Sequence, residues 1–174
     1  MNSVFDKMNF DSPEGMLTSI WGPPLWHTLH TISFNYPVNP THNDIENYYN
    51  FFTSLKNILP CKYCRDNLKK NLKKVRLNRS VFKNRDSLSR WVYNLHEEVN
   101  LMLNKNSGLS YNDIRDRYEN FRARCVNTNK SIESGCTSSL YGLKGKCVMN
   151  IVPKNSSKES LKIDPKCKIK KSKK

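Results

Sequence analysis

Cys61 and Cys64, within Leu59-Pro60-Cys61-Lys62-Tyr63-Cys64, are the residues of this 174-residue chain whose type and spacing bear most directly on chemistry. At a helix start, a Cys-x-x-Cys spacing lets two sulfurs close a small reducible ring. Amide donors and the helix dipole stabilise a thiolate there, lowering its pKa. Lys62 and Arg65 add positive charge beside the pair. This setting suits thiol–disulfide exchange. A zinc site would need two further ligands: the next cysteine, Cys125, is distant in sequence, and His30 and His96 share no zinc-type spacing. Inert thiols are the third reading, and spacing alone leaves all three open.

The N-terminal stretch MNSVFDKMNFDSPEGM carries acidic residues and no long apolar run, so it reads as neither a secretory signal nor a transit peptide. No segment approaches the roughly 18 consecutive apolar residues of a membrane span. A cytosolic chain is the expectation, and Asn-x-Ser sequons at Asn78, Asn129 and Asn155 then carry little weight. In that compartment six cysteines are more often redox-active or metal-binding than structural. The net charge of +15, from 30 Lys and Arg against 15 Asp and Glu, is compatible with a solvated face and tail. It also admits an anionic partner such as nucleic acid, as a secondary reading.

The elements that must position the pair are helical. Residues 1–18 show no sustained period and read as a flexible lead. From Ile20, the positions Trp21, Leu25, Leu29 and Ile32 follow helical spacing, with Gly22, Pro23 and Pro24 in a first turn and Pro37 closing the helix. Thr41 and Asp44 form a capping box for a second helix, whose stripe runs through Ile45, Tyr48, Tyr49, Phe52, Leu55 and Leu59. A third helix starts at the cysteine pair and runs to about Val75, and residues 76–86 read as a polar connection. Ser87 caps a fourth helix with Leu88, Trp91, Val92, Leu95, Val99, Met102 and Leu103 along one side. Ser110 and Asp113 start a short fifth helix through Phe121. The fold class is therefore all-α, a four-helix bundle plus a short fifth helix with an irregular C-terminal extension. The divisions are 1–18 (lead), 19–121 (core domain), 122–152 (a Cys-containing extension) and 153–174 (a basic, Lys/Ser-rich tail expected to be disordered).

Three segments in order, WGPPLWHTLHTISFNYP, LPCKYC and LSRWVYNLHEEVNLMLNK, resemble the Erv/ALR family of FAD-linked sulfhydryl oxidases, and its viral members in particular. The resemblance implies a compact helical bundle with FAD at its mouth, usually a homodimer. Substrate protein thiols would reduce a Cys61–Cys64 disulfide, the dithiol would reduce FAD, and oxygen would reoxidise the flavin to give hydrogen peroxide. Cys64 would be the flavin-proximal sulfur and Cys61 the one attacked by substrate. Trp26, His30 and Tyr36 match positions lining the flavin, while His96, Val99, Asn100 and Lys105 match the segment around the adenine and phosphates. Gly22, Leu103 and Tyr118 complete the cofactor-facing set. A viral setting would place the protein in host cytoplasm or virion. Taken singly, Trp26, Tyr36, His30 and His96 also read as core residues.

Two departures stand out. The family's second Asn in the fourth-helix segment is Glu97 here, an awkward neighbour for phosphates unless it faces away. The family's common structural disulfide is missing, its positions holding Tyr93 and Ser110. Cys125, Cys136, Cys147 and Cys167 lie beyond the resemblance. They read as an electron shuttle to Cys61, as a local disulfide or metal clip, or as free thiols. An inactive helical scaffold, or a basic nucleic-acid-binding module, is the alternative to an oxidase.

Overall fold

A computed structural model describes residues 8–13, 15–124, 138–139, 147–149 and 161–163. The chain divides into two compact units, Met1–Tyr111 and Asn112–Lys174. The first unit contains four helices: α1 (Thr18–Phe34), α2 (His42–Ile58), α3 (Lys62–Lys74) and α4 (Arg85–Met102).

Helix α1 begins at Thr18, ahead of the first apolar position, so Pro23 and Pro24 lie inside it and not in its first turn. Neither proline can donate a backbone bond, which costs this stretch two helical hydrogen bonds. Tertiary anchoring offsets the loss: Trp21 Nε1 donates to Met16 O at 2.9 Å, and the Met16 amide donates to Pro60 O at 2.8 Å. The predicted capping box of α2 forms in full. Thr41 N donates to Asp44 Oδ2 at 2.8 Å and Asp44 N to Thr41 Oγ1 at 3.2 Å. The Thr41 hydroxyl, donating to Asp44 Oδ2 at 2.7 Å, and then the Thr41 amide hold the Asp44 carboxyl below its ordinary pKa.

The polar connection conceals a core residue. Residues Arg79–Phe82 form a 3-10 turn capped by the Asn78 side chain, and Phe82 is fully buried. Helix α4 is capped by Asn84, not by the predicted Ser87; Ser87 sits in the first turn and its amide donates to Asn84 Oδ1 at 2.9 Å. The α4 stripe at Leu88, Trp91, Val92 and Leu95 meets Tyr36, Phe52, Leu55, Leu68 and Phe82 in one cluster. Burying aliphatic or aromatic side chains of this size stabilises by about 1.5–3 kcal/mol each. Trp91, read as core, is core: its ring packs edge-on to Phe52 and its Nε1 donates to Val75 O at 3.2 Å.

Helix α4 ends in a Schellman motif. Asn104 takes φ 53°, its amide donates to Leu101 O at 3.1 Å, and the Lys105 amide donates to Asn100 O at 2.8 Å. Asn tolerates the left-handed conformation that this cap requires. The following turn is tied back to α4. Tyr93 Oη donates to Leu109 O at 2.9 Å, and the Tyr93 and Tyr111 rings meet edge to face.

The second unit contains α5 (Tyr111–Glu119) from Asn112 onward and four strands, β1 (Ala123–Arg124), β2 (Ser138–Ser139), β3 (Cys147–Met149) and β4 (Leu161–Ile163). They pair antiparallel as β1–β2 and β3–β4, with Cys147 opposite Ile163. The sequence reading has no regular element beyond Phe121, because strands of two or three residues carry too little alternation to register as a period. Among the described residues, no helix is long and apolar enough to cross a membrane.

Two substitutions test this ledger of contacts. Phe82→Ala should cost about 3–5 kcal/mol in urea denaturation through loss of a fully buried ring. Tyr93→Phe should cost only about 0.5–1.5 kcal/mol, the worth of one hydrogen bond.

Candidate active site

The site begins at the entry to α3. Pro60 ends the second-helix segment and leaves Cys61 extended, at φ −139° and ψ 127°, as the N-cap of α3. Its Sγ accepts the Cys64 amide at 3.3 Å, performing the capping role that a serine hydroxyl would take. Cys61 is 7% exposed and Cys64 half-buried, and both carry free thiols.

The electrostatics run against the expectation of an acidic thiol at Cys64. Burial, first, and then the hydrogen bond and charge of Cys61 push the Cys64 thiol up to about 12. The Cys64 amide, which donates to Cys61 Sγ, lowers the Cys64 thiol only in part. The neighbouring cations are engaged elsewhere. Lys62 is paired with Asp66 at 2.7 Å, which raises its own pKa. Arg65 is buried, donates to Leu59 O at 2.8 Å and to Phe10 O, and stands 3.8 Å over the Phe10 ring. Arg65 still favours the Cys64 thiolate, but as the smallest of the influences on it.

A second cluster forms where α1 faces α4. The Trp26 and His96 rings stack with centroids 4.0 Å apart and planes 6° from parallel. His30 Nε2 and His96 Nδ1 lie 3.0 Å apart, one ring's N–H donating to the other's lone pair. Burial lowers the His96 pKa, which favours the neutral ring that shares this hydrogen bond with His30. His30 is buried, and the Phe34 ring stacks beyond it. Among the described residues, no three His, Cys, Asp or Glu side chains converge as a metal-binding group.

The remaining predicted positions separate into groups. Gly22 lies on α1 with nothing within 4 Å of where a Cβ would stand. Tyr36 is removed from any surface: its ring is fully buried between Tyr48 and Phe82, and its hydroxyl donates to Phe82 O at 2.9 Å. Burial pushes its phenol up to about 12. Val99 and Asn100 follow His96 on α4, half-buried, while Leu103 and Lys105 are exposed at its end. Glu97 is partly neutralised in hydrogen-bonding terms, since its Oε1 accepts from Asn100 Nδ2 at 2.9 Å. Tyr118 belongs to the second unit, edge-on to Phe121 at 5.4 Å. Of the tail cysteines, Cys147 lies in β3, with its side chain undescribed, and Cys125, Cys136 and Cys167 lie outside the described residues.

Sequence reasoning missed Phe10, Gly15 and Met16, which meet Arg65, Cys61 and Pro60 around the start of α3. Gly15, at φ +49°, approaches so closely that a Cβ would stand 2.5 Å from Pro60 O and 2.8 Å from Cys61 Cα. The one signal available was Gly15 itself, beside acidic and proline residues in a segment with no period.

Only the thiolate reacts with an alkylating agent. In the reduced protein, iodoacetamide labelling of Cys64, read on the tryptic peptide spanning residues 63–65, should therefore climb steadily from about pH 8 to about pH 10, roughly tenfold per unit. A plateau below pH 10 would show that the thiol is not raised.

Three comparisons place this geometry. The chain matches the model of the Erv1 / Alr family over residues 23–119. It is 38% identical over 85 residues to a protein of Acanthamoeba polyphaga mimivirus whose name reads "Probable FAD-linked sulfhydryl oxidase", an alignment covering 49% of this chain and 59% of the relative. It is 27% identical over 120 residues to an FAD-linked sulfhydryl oxidase of African swine fever virus (isolate Tick/Malawi/Lil 20-1/1983), covering 69% of this chain and 98% of the relative. The crystal structure of the FAD-binding domain of Erv1 from Saccharomyces cerevisiae superposes with a TM-score of 0.54 at 25% identity, over 59% of this chain and 94% of that one. The chain spans about half the length of several of these relatives, from 43% of the mitochondrial FAD-linked sulfhydryl oxidase of Saccharomyces cerevisiae to 59% of the mimivirus protein. The matched span contains the cysteine pair at the start of α3 and the Trp26, His30 and His96 cluster between α1 and α4, and the chain belongs to the Erv1 / Alr family.

Proposed function

We propose that the chain is an FAD-linked thiol oxidase that forms disulfides in protein substrates through Cys61 and Cys64. The observation that carries this reading is the Cys-x-x-Cys pair, with one sulfur capping α3, in the same four-helix unit as the stacked Trp26–His96 pair.

The residues suit a flavin dinucleotide. Gly22 leaves open space on α1 that no protein atom needs, although glycine within a helix costs roughly 1 kcal/mol relative to alanine. Trp26 and His96 offer a flat aromatic edge, and the His30 and His96 rings share a hydrogen bond beside it. The Schellman cap presents Lys105 at the end of α4, where its ammonium would hold a bound pyrophosphate as a point charge. The Asn100 bond to Glu97 restrains that carboxylate from an anionic ligand. Tyr36, locked to Phe82 O, acts as a positioning residue that fixes the end of α1. FAD, when bound, supplies the two-electron chemistry that returns the dithiol to the disulfide and passes the electrons to oxygen as hydrogen peroxide.

The chain's own part is thiol exchange. A substrate thiolate attacks Cys61 Sγ, the Cys61–Cys64 bond breaks, and the electron pair leaves on Cys64. A second substrate thiol then displaces the mixed disulfide, so that substrate loses two electrons and two protons and the pair becomes a dithiol. The raised pKa makes Cys64 a slower leaving group but a stronger nucleophile once ionised. That suits a sulfur whose task is to pass electrons onward.

Cys64→Ser should retain flavin absorbance and lose peroxide production with dithiothreitol by about a hundredfold or more, since the two sulfurs act as a unit. A colourless protein that takes up no added FAD would sink the reading, as would an active Cys64→Ser variant.

A further inference from the structure

Cys61, assigned to substrate attack, is the more buried residue of the pair, and the chain's own N-terminal segment packs on its backbone and Cβ. Residues 10–13 and 15–16 lie at the start of α3 as a strap held at four points. The Phe10 ring lies under the Arg65 guanidinium at 3.8 Å. Phe10 O accepts from Arg65 Nη2. The Met16 amide donates to Pro60 O at 2.8 Å, and Gly15 rests on Pro60 and Cys61. Asp11 adds a longer pairing with Arg65 at 3.9 Å.

The segment enters as a turn, with the Asp11 and Ser12 amides donating to Met8 O, and its contacts combine main-chain bonds with a side-chain seat for Phe10. Arg65 is 5% exposed, a buried cation whose guanidinium face and one donor arm serve only the strap, the other arm being fixed on Leu59 O. The strap itself is loosely seated. Phe10 stays 58% exposed and Met16 67%, so little apolar burial holds it down. A groove of about 290 Å³ continues beside it, with Lys56, Lys62, Arg65 and Lys69 outnumbering Asp11 and Asp66. Tyr63, between the two cysteines, is 63% exposed, and Ile58 60%.

We propose that this face is a polypeptide-binding subsite for the thiol substrate, occupied in cis by the described residues 10–13 and 15–16, and that Arg65 selects an aromatic side chain near the substrate cysteine. The proposal rests on the thiol-oxidase reading for its biological meaning. Its geometry stands independently: the strap must lift for a substrate sulfur to reach Cys61, and the incoming chain takes over the contacts to Arg65 and Pro60 O. Polypeptide with an accessible aromatic residue near its cysteine is the substrate class.

The test uses the whole 174-residue chain, reduced anaerobically, with alkylation of Cys61 read on the tryptic peptide spanning residues 57–62 and so separate from Cys64. Phe10→Ala and Gly15→Ala each loosen the strap by different means, and circular dichroism checks that both stay folded. Labelling of Cys61 should rise several-fold in both, about 3–10-fold for loss of one cation–π contact. A thiol-free synthetic peptide of residues 8–16, at millimolar concentration, should suppress labelling in Phe10→Ala, while the same peptide with alanine in place of phenylalanine should not. Unchanged labelling in both variants, or equal behaviour of the two peptides, would overturn the subsite. Dithiothreitol turnover, measured alongside, reports on the oxidase reading separately, because alkylation and protection need no flavin chemistry.

Discussion

The site depends on one packing constraint: α4 buries a single face completely. Leu88, Trp91, Val92 and Leu95 fill the core, and that fixes which way the next positions turn. His96, one residue beyond Leu95, is thereby brought against Trp26 and His30 on α1. Asn100, four residues on, follows the same side of the helix. A loosened core would rotate or fray α4 and disperse the cluster without altering any residue within it. Phe82 matters for the same reason, although it sits in a 3-10 turn: it plugs the space between Tyr36, Tyr49 and Phe52 against which α4 rests.

The cysteine pair is built on a different principle, local backbone geometry. Cys61 caps α3 with sulfur, so the Cys64 amide donates to the sulfur that substrate would meet, and Cys64 is left half-buried with a thiol raised towards 12. Spacing and helix position made Cys-x-x-Cys legible, but not which sulfur receives the amide, nor that Lys62 would be taken up by Asp66 and Arg65 by Phe10. Such partners come from across the fold and leave no local trace. The same holds for Glu97, whose acidic character looked unfavourable until its bond to Asn100 was seen.

The long amphipathic stripes of α2 and α4 were readable because a dozen or more residues repeat one period, and the Thr41–Asp44 box because its two residues cap each other. Boundaries were harder. Asn84 rather than Ser87 caps α4, and α1 starts before its prolines, since a short polar side chain caps equally well at several neighbouring positions. Phe82 and Tyr36 illustrate the opposite limit. An aromatic residue in a polar stretch, or next to a motif, gives no sequence sign of whether it faces core or ligand, and both face core. Residues 8–16 carry no period at all, yet Phe10, Gly15 and Met16 among them hold specific places.

The central claim is that Cys61–Cys64 and a bound flavin form one electron path. An anaerobic titration of the oxidised, FAD-loaded protein with dithiothreitol, followed in the visible spectrum, addresses it most directly. Four electrons should be taken up per chain by this path, two by the disulfide and two by the flavin, so that bleaching is complete only after about two dithiol equivalents, falling to about one once the disulfide is removed by Cys61→Ser with Cys64→Ser. In that double variant, bleaching should also slow sharply, because dithiothreitol must then reach the flavin without the relay. Equal stoichiometry and equal rates in the two proteins would contradict the account, leaving the pair outside the path of electrons.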